Sequence, residues 1–160
     1  MTARQTVLLA GAGSATLLLI AFGFQYLAGL LPCAMCLWQR WPHVLAIVLS
    51  AVGMAISGAW LPILGGLTML SNAGIALYHT GVERDWWEGP TSCTSAGGEN
   101  LGLLSGSDLL NTDTTPALIL CDQVAWEMAG LSMASWNGVG SLILAIIWFA
   151  AAARAYKPQT

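Results

Sequence analysis

The sequence predicts an all-α membrane protein, a four-transmembrane-helix bundle with a long loop between helices 3 and 4. Hydrophobic residues make up 56% of the 160 residues and charged residues only 8%, whereas about 25% of an ordinary soluble domain is charged. Such a chain has too few charges to cover a soluble globule, and its five Lys and Arg residues argue against nucleic-acid binding. The charges are also segregated. All eight carboxylates lie between Glu83 and Glu127, where a single base, Arg84, leaves a net charge of −7.

The uncharged stretches locate the spans. No charged residue lies between Arg4 and Arg40 or between Arg40 and Glu83, and a helix needs roughly 20 apolar residues to cross a hydrocarbon core of ~30 Å. The first stretch is long enough for one span and the second for two, joined by a turn at 58–62. A further apolar stretch follows the acidic region. The predicted spans are Val7–Leu30, Trp41–Ser57, Pro62–Thr80 and Trp136–Ala153.

Four spans place both termini on one side of the membrane. Arg4, Arg154 and Lys157 flank the termini, and basic residues favour the cytoplasmic side, so we expect both termini to be cytoplasmic. The chain then forms one membrane domain, 1–160, in which residues 81–135 are an outward-facing loop. In a bacterium this loop of the multi-pass protein would lie in the oxidising periplasm. The first span exceeds the 7–15 apolar residues of a cleavable signal peptide, so we expect it to be retained.

All four cysteines fall on the predicted outer side. Cys33 and Cys36 form a CxxC motif after the first span, whereas Cys93 and Cys121 lie in the loop, 28 residues apart. The CxxC spacing is that of a redox-active disulfide, and the loop pair could form an exposed disulfide that a partner protein can reach. The residues alone leave two alternatives open. One is a pair of structural disulfides, and the other is a zinc site, which the wide spacing of the loop cysteines disfavours.

Arg40 stands alone between two long uncharged stretches. It follows Cys36 by four residues, so the two side chains share one face if this segment is helical. A guanidinium there would favour the thiolate form of the cysteine. The alternative is an interfacial arginine that extends to the membrane surface beside Trp38 and Trp41.

These motifs together resemble the disulfide bond formation protein B family, the quinone-reducing thiol oxidases of bacterial inner membranes. The resemblance covers nearly the whole chain and includes the order of the cysteine pairs, the four spans and the position of the long loop. The matching motifs are Pro32-Cys33-x-x-Cys36-x-x-x-Arg40, Tyr78-His79-Thr80-Gly81-Val82-Glu83, Trp86-Trp87-Glu88-Gly89-Pro90, Cys121-Asp122-x-x-x-Trp126 and Gly130-Leu131-Ser132-Met133-Ala134-x-Trp136-Asn137.

The resemblance implies a role for each residue near the membrane surface. Cys33 and Cys36 would pass electrons to ubiquinone or menaquinone, with Cys36 as the sulfur that contacts the quinone. Arg40 would stabilise that thiolate and the negative charge that develops on the quinone oxygen. His79 and Met133 match family positions near the quinone. No metal is expected.

The resemblance also implies a partner. The Cys93–Cys121 disulfide would accept electrons from a reduced periplasmic DsbA-type protein of the thioredoxin fold, and a mixed disulfide would pass them to Cys33 and Cys36. Gln39 occupies a position where some relatives carry an acid, which puts any carboxylate role there in doubt. Two other interpretations stay open. One is a non-catalytic tetraspan protein whose disulfide-stabilised loop binds a partner, and the other is the same relay serving one dedicated protein with a basic surface.

Overall fold

The computed structural model describes residues 1–56, 58–90 and 121–156. Within them lie four long helices: α1 (Ala3–Tyr26), α2 (Ala34–Ala55), α3 (Trp60–Glu83) and α4 (Met133–Tyr156). A short antiparallel hairpin precedes α4 and is formed by β1 (Glu127–Met128) and β2 (Leu131–Ser132). The predicted fold of four long helices is therefore confirmed in the described residues, with the two-residue strands as an addition.

Local sequence signals define the starts of the first three helices. The Thr2 hydroxyl accepts a hydrogen bond from the N–H of Gln5, whose side chain accepts one from the N–H of Thr2, so the two residues form a capping box for α1. The sulfur of Cys33 caps α2 by accepting from the N–H of Cys36 at 3.2 Å. Pro62 lies in the first turn of α3, where proline breaks no helical hydrogen bond.

The ends of the helices differ from those of the predicted spans by a few residues. The largest difference is in α2, which starts seven residues before Trp41 because it continues through Pro42 without a break. The α1 helix lies four residues earlier in the chain than predicted. Because α3 ends at Glu83 and α4 begins at Met133, the connection between them is 84–132 rather than 81–135. Residues 91–120 of this connection, including Cys93, lie outside the described residues.

The four helices form an up-and-down bundle. The α1 helix packs against α2 and α4, and α3 packs against the same two helices. The start of α1, the α2–α3 turn and the end of α4 line one cavity together. The end of α1, the start of α2, the end of α3 and the start of α4 line another. The two termini therefore lie at one end of the bundle, and the CxxC motif lies at the other.

Small residues allow α3 and α4 to approach closely. A side chain at Gly65 would overlap the ring of Trp148, which is fully buried. A Cβ at the neighbouring Gly66 would lie 2.7 Å from the ring of Phe149. Two aromatic rings of α4 thus rest directly on the backbone of α3. This close packing fixes the position of α4 relative to α3.

The surface of the bundle is apolar and its interior is partly polar. Leu19 is 69% exposed and Trp41 71% exposed, whereas Asn72 and Ser141 are fully buried. This distribution suits lipid rather than water as the surrounding medium. Among the described helices, α1, α3 and α4 are long and apolar enough to cross a membrane, and α2 does not meet the same criterion. These features fit a multi-pass membrane protein.

Candidate redox site

The CxxC motif lies where the linker after α1 enters α2. Gly29 in this linker has a φ of 70°, a left-handed conformation that glycine adopts without steric cost. Cys33 is buried and Cys36 half-buried, and both are free thiols with their sulfurs 2.9 Å apart. The motif is therefore a dithiol at a helix N-terminus, where the helix dipole favours a thiolate.

Hydrogen bonds lower the pKa of Cys33, which precedes the first residue of α2. The largest contribution comes from the Cys36 thiol, which donates to Cys33 when Cys33 ionises. His79, with Nε2 3.5 Å from the sulfur, and the backbone N–H of Cys36 lower the pKa further. Burial raises it, but the donors outweigh burial, and the pKa lies well below its usual value of 9.0. Cys33 is therefore the sulfur of this dithiol that ionises more readily.

Cys121 lies directly beside this dithiol. It is 1% exposed and disulfide-bonded, and its sulfur, the Cys33 sulfur and a ring nitrogen of His79 all lie within 4.8 Å of one another. The structure thus brings one loop cysteine to one CxxC cysteine. The pairing of Cys121 with Cys93 stays a prediction, because Cys93 lies outside the described residues. A disulfide sulfur lacks the thiolate charge that binds zinc, so this cluster does not fit a metal site while the disulfide is intact.

Contacts on both sides hold the segment after Cys121 against the bundle. The ring of Trp126 packs on Phe24 of α1, with ring centroids 5.0 Å apart. The β1–β2 hairpin turns through Ala129 and Gly130, both with positive φ as a two-residue type I′ turn requires. The guanidinium of Arg84 donates to the carbonyl of Gly130 at 3.0 Å and so ties the turn to the end of α3.

A cavity of about 360 Å³ opens beside the dithiol. Cys33, Cys36, Arg40, His79 and Met133 all line it, so it collects five of the seven predicted site residues. Apolar side chains of α1 and α4 form most of the remaining wall. The cavity therefore combines a mostly apolar lining with a few polar side chains and the two cysteines, which is the usual form of a small-molecule site.

Arg40 is held at the α1 wall of this cavity. Its guanidinium donates to Oε1 of Gln25 at 2.6 Å and lies 4.9 Å from the centre of the Phe22 ring. A hydrogen bond and a cation–π interaction thus fix a positive charge at the wall of the cavity that Cys33 and Cys36 also line. Both contacts are with α1. The stabilisation of a Cys36 thiolate by Arg40, which the resemblance implies, stays a prediction.

A chain of buried polar side chains leads from Cys33 into the bundle. His79 contacts Gln39, Gln39 contacts Asn137, and Asn137 contacts His43, with heavy-atom distances of 2.6–2.9 Å. Sequence reasoning did not find this chain. One signal was present, because Gln39 and His43 lie four residues apart and therefore share one face of an otherwise apolar helix.

A carboxylate also lies near the site, although position 39 carries an amide. Oε1 of Glu83 is 3.9 Å from Nε2 of His79. The other carboxylate oxygen of Glu83 accepts a hydrogen bond from the Ser132 hydroxyl in β2. The end of α3 thus presents an acid to the same histidine that contacts Cys33.

Comparison with known proteins identifies the family. The family model described as Disulfide bond formation protein DsbB matches residues 3–151, a range that includes α1, α2, α3, most of α4 and every predicted site residue. The chain belongs to the DsbB family. The DsbB-family resemblance predicted from the cysteine motifs is confirmed.

Individual DsbB-family relatives are similar at modest identity. "Disulfide bond formation protein B" of Albidiferax ferrireducens is 29% identical over 81% of this chain and 80% of its own length. Proteins of the same name are 30% identical in Aromatoleum aromaticum, over 80% of both chains, and 26% identical in Verminephrobacter eiseniae, over 98% of this chain and 89% of the relative. No solved structure gives a significant match.

Proposed function

We propose that this DsbB-family protein is a thiol:quinone oxidoreductase that re-oxidises a periplasmic DsbA-type dithiol protein. Electrons would pass from that partner to the Cys93/Cys121 pair, then to Cys33 and Cys36, and then to ubiquinone or menaquinone. The observation that carries the proposal is the position of Cys33, with a disulfide-bonded Cys121 on one side and the cavity on the other. The names of the relatives, which refer to disulfide bond formation, support the same activity.

The environment of Cys33 suits exchange with the loop pair. When electrons pass from the loop pair to the CxxC motif, the Cys121 thiolate attacks the Cys33 sulfur of the oxidised motif. Cys36 then leaves as a thiolate. Cys93 then attacks the Cys121 sulfur and releases Cys33, so the loop regains its disulfide and the CxxC motif becomes a dithiol. A leaving thiolate departs faster when its pKa is low. The hydrogen bonds that lower the pKa of Cys33 therefore favour its release.

The cavity fits a quinone. Its lining is mostly apolar and includes both cysteines of the dithiol and several polar side chains. A bound quinone would supply an acceptor for two electrons and two protons. Cys33 and Cys36 would lose those two electrons and two protons as they form their disulfide. Arg40 would hold its positive charge near the quinone oxygen, on which negative charge develops during reduction. Met133 would form part of the apolar wall.

We place all four helices across the membrane. The end of α1 and the start of α3 lie at opposite ends of the bundle, so α2 must run its whole length. Its 22 residues span about 33 Å, which matches the hydrocarbon core. Arg4 and Arg154 lie at the end away from the cysteines, so we assign that end to the cytoplasm and the redox end to the periplasm of the inner membrane.

The test is quinone reduction by the purified protein in detergent, with a reduced DsbA-type protein as electron donor. We expect steady quinone reduction by the natural sequence and its loss in Cys36→Ser and in Cys93→Ser. Ser50→Ala is the matched control. Ser50 donates to the carbonyl of Val7, in the half of the bundle that is away from the cysteines. A folded protein that reduces neither ubiquinone nor menaquinone would contradict the proposal and favour a partner-binding protein without catalysis.

A further inference from the structure

The buried polar chain behind Cys33 is continuous across three helices. On α4, Nδ2 of Asn137 donates to Oε1 of Gln39 at 2.6 Å, and Oδ1 of Asn137 lies 2.9 Å from Nε2 of His43. On the other side, Nε2 of Gln39 lies 2.7 Å from Nδ1 of His79, whose Nε2 faces the Cys33 sulfur at 3.5 Å. Gln39, His43 and His79 are 2–4% exposed. Water therefore has little access to exchange these partners.

The amide groups give this chain a direction. An amide nitrogen carries hydrogens and has no free lone pair to accept with, so Gln39 must donate to Nδ1 of His79. That ring nitrogen then bears no hydrogen, and a neutral His79 carries its hydrogen on Nε2. Nδ2 of Asn137 in turn donates to Oε1 of Gln39, which sets the orientation of the Gln39 amide. Hydrogen bonds thus run from Asn137 through Gln39 and His79 to Cys33.

We propose that Gln39 and Asn137 are positioning residues that hold His79 in the Nε2–H tautomer, with its ring hydrogen directed at the Cys33 sulfur. This rests on the proposed function, in which the attack of Cys93 on Cys121 releases Cys33 as a thiolate. In the other tautomer Nε2 would present a lone pair to that thiolate and would disfavour it.

The carboxylate near His79 is compatible with this direction. The Glu83 carboxylate, 3.9 Å from Nε2 of His79, favours a hydrogen on that nitrogen. At the far end, the Asn72 amide lies 3.1 Å from Nε2 of His43 and 2.8 Å from the Ser141 hydroxyl. Nδ2 of Asn72 donates to that hydroxyl and also faces Nε2 of His43, so the direction that the amides set runs from Asn137 to Cys33.

A purely structural role makes a different prediction. Buried polar side chains also join membrane helices without any consequence for a reactive group. In that case the removal of Asn137 would lower stability and leave the tautomer of His79 unchanged. The tautomer itself is therefore the property to measure.

Nitrogen NMR measures this property directly, because the chain contains only two histidines, His43 and His79. The sample is the full chain in detergent micelles, labelled with ¹⁵N-histidine and kept reduced by dithiothreitol without oxygen. Protonated and unprotonated ring nitrogens resonate in separate regions, and the signals lost in His79→Gln are those of His79. We expect His79 to show a protonated Nε2 and an unprotonated Nδ1.

The decisive variant is Asn137→Leu, which keeps the side-chain volume and removes the donor to Gln39. We expect signals of the Nδ1–H tautomer of His79 to appear in this variant and to be absent in the Ser50→Ala control. An Nδ1–H tautomer in the natural sequence would overturn the proposal, as would an Asn137→Leu spectrum identical to it. If Asn137→Leu does not fold, the spectrum of the natural sequence still tests the proposal by itself. An inactive protein with the Nε2–H tautomer would refute the oxidase activity and not the assignment of the tautomer.

Discussion

Removal of the Cys36 thiol should raise the pKa of Cys33, because that thiol is the largest of the causes that lower it. The comparison is between Cys36→Ser, which keeps a hydroxyl donor, and Cys36→Ala, which keeps none. A hydrogen bond to a charged acceptor contributes about 1.5–3 kcal/mol, and 1.36 kcal/mol corresponds to one pKa unit. The pKa of Cys33 should therefore be about 1–2 higher in the alanine variant. The contacts of Cys33 with His79 and with the backbone N–H of residue 36 remain in both.

The assay is the rate of iodoacetamide alkylation as a function of pH. Cys93→Ser and Cys121→Ser are combined with each variant, so that Cys33 is the only thiol in the chain. Only the thiolate reacts, so the midpoint of the rate profile reports the pKa of Cys33. We expect a midpoint well below the ordinary thiol range in the serine variant and a shift to higher pH in the alanine variant. Coincident profiles, or an ordinary midpoint in the serine variant, would refute the reasoning.

Two further predictions concern packing and the cavity. Gly65→Ala forces a methyl group against the Trp148 ring and should cost about 1–3 kcal/mol, seen as a lower melting temperature in detergent. Gly74→Ala is the control, because a Cβ there meets nothing within 4 Å, and equal melting temperatures would be inconsistent with the packing. Arg40→Met should lower kcat/KM for quinone about 10-fold or more, since it removes a charged contact of about 1.5–3 kcal/mol. Gln25→Leu, which only frees the guanidinium, should have a smaller effect, and the reverse order would count against an electrostatic role for Arg40.

The spacing of charges predicted the helices because a membrane span excludes charge over its whole length. Arg40 lies alone between two uncharged stretches. From these stretches, the predicted ends of α1 and α3 fall within four residues of the observed ends. The start of α2 was predicted seven residues late, at Trp41, next to Pro42. Proline removes one helical hydrogen bond and disfavours a helix, but the packing of α2 between α1 and α3 maintains the helix through this position.

The candidate site was predictable only where its residues are close in sequence. Cys33, Cys36 and Arg40 share one short segment, and their spacing indicated redox chemistry. The approach of Cys121 to Cys33 depends instead on the path of the whole 84–132 connection, which no local pattern specifies. The contact between Gln39 and Asn137 joins positions 98 residues apart and depends on how α2 and α4 are rotated in the bundle. Rotations of this kind follow from packing and not from local sequence.

Single-turnover quinone reduction tests the central claim most directly, namely that the dithiol beside the cavity reduces a quinone itself. The protein carries Cys93→Ser and Cys121→Ser, is reduced and freed of reductant without oxygen, and is then mixed with ubiquinone in detergent. We expect one hydroquinone for each chain, together with loss of both remaining thiols, and none when Cys36→Ser is added. No hydroquinone from the folded dithiol protein, or an equal yield from the Cys36→Ser variant, would contradict this assignment.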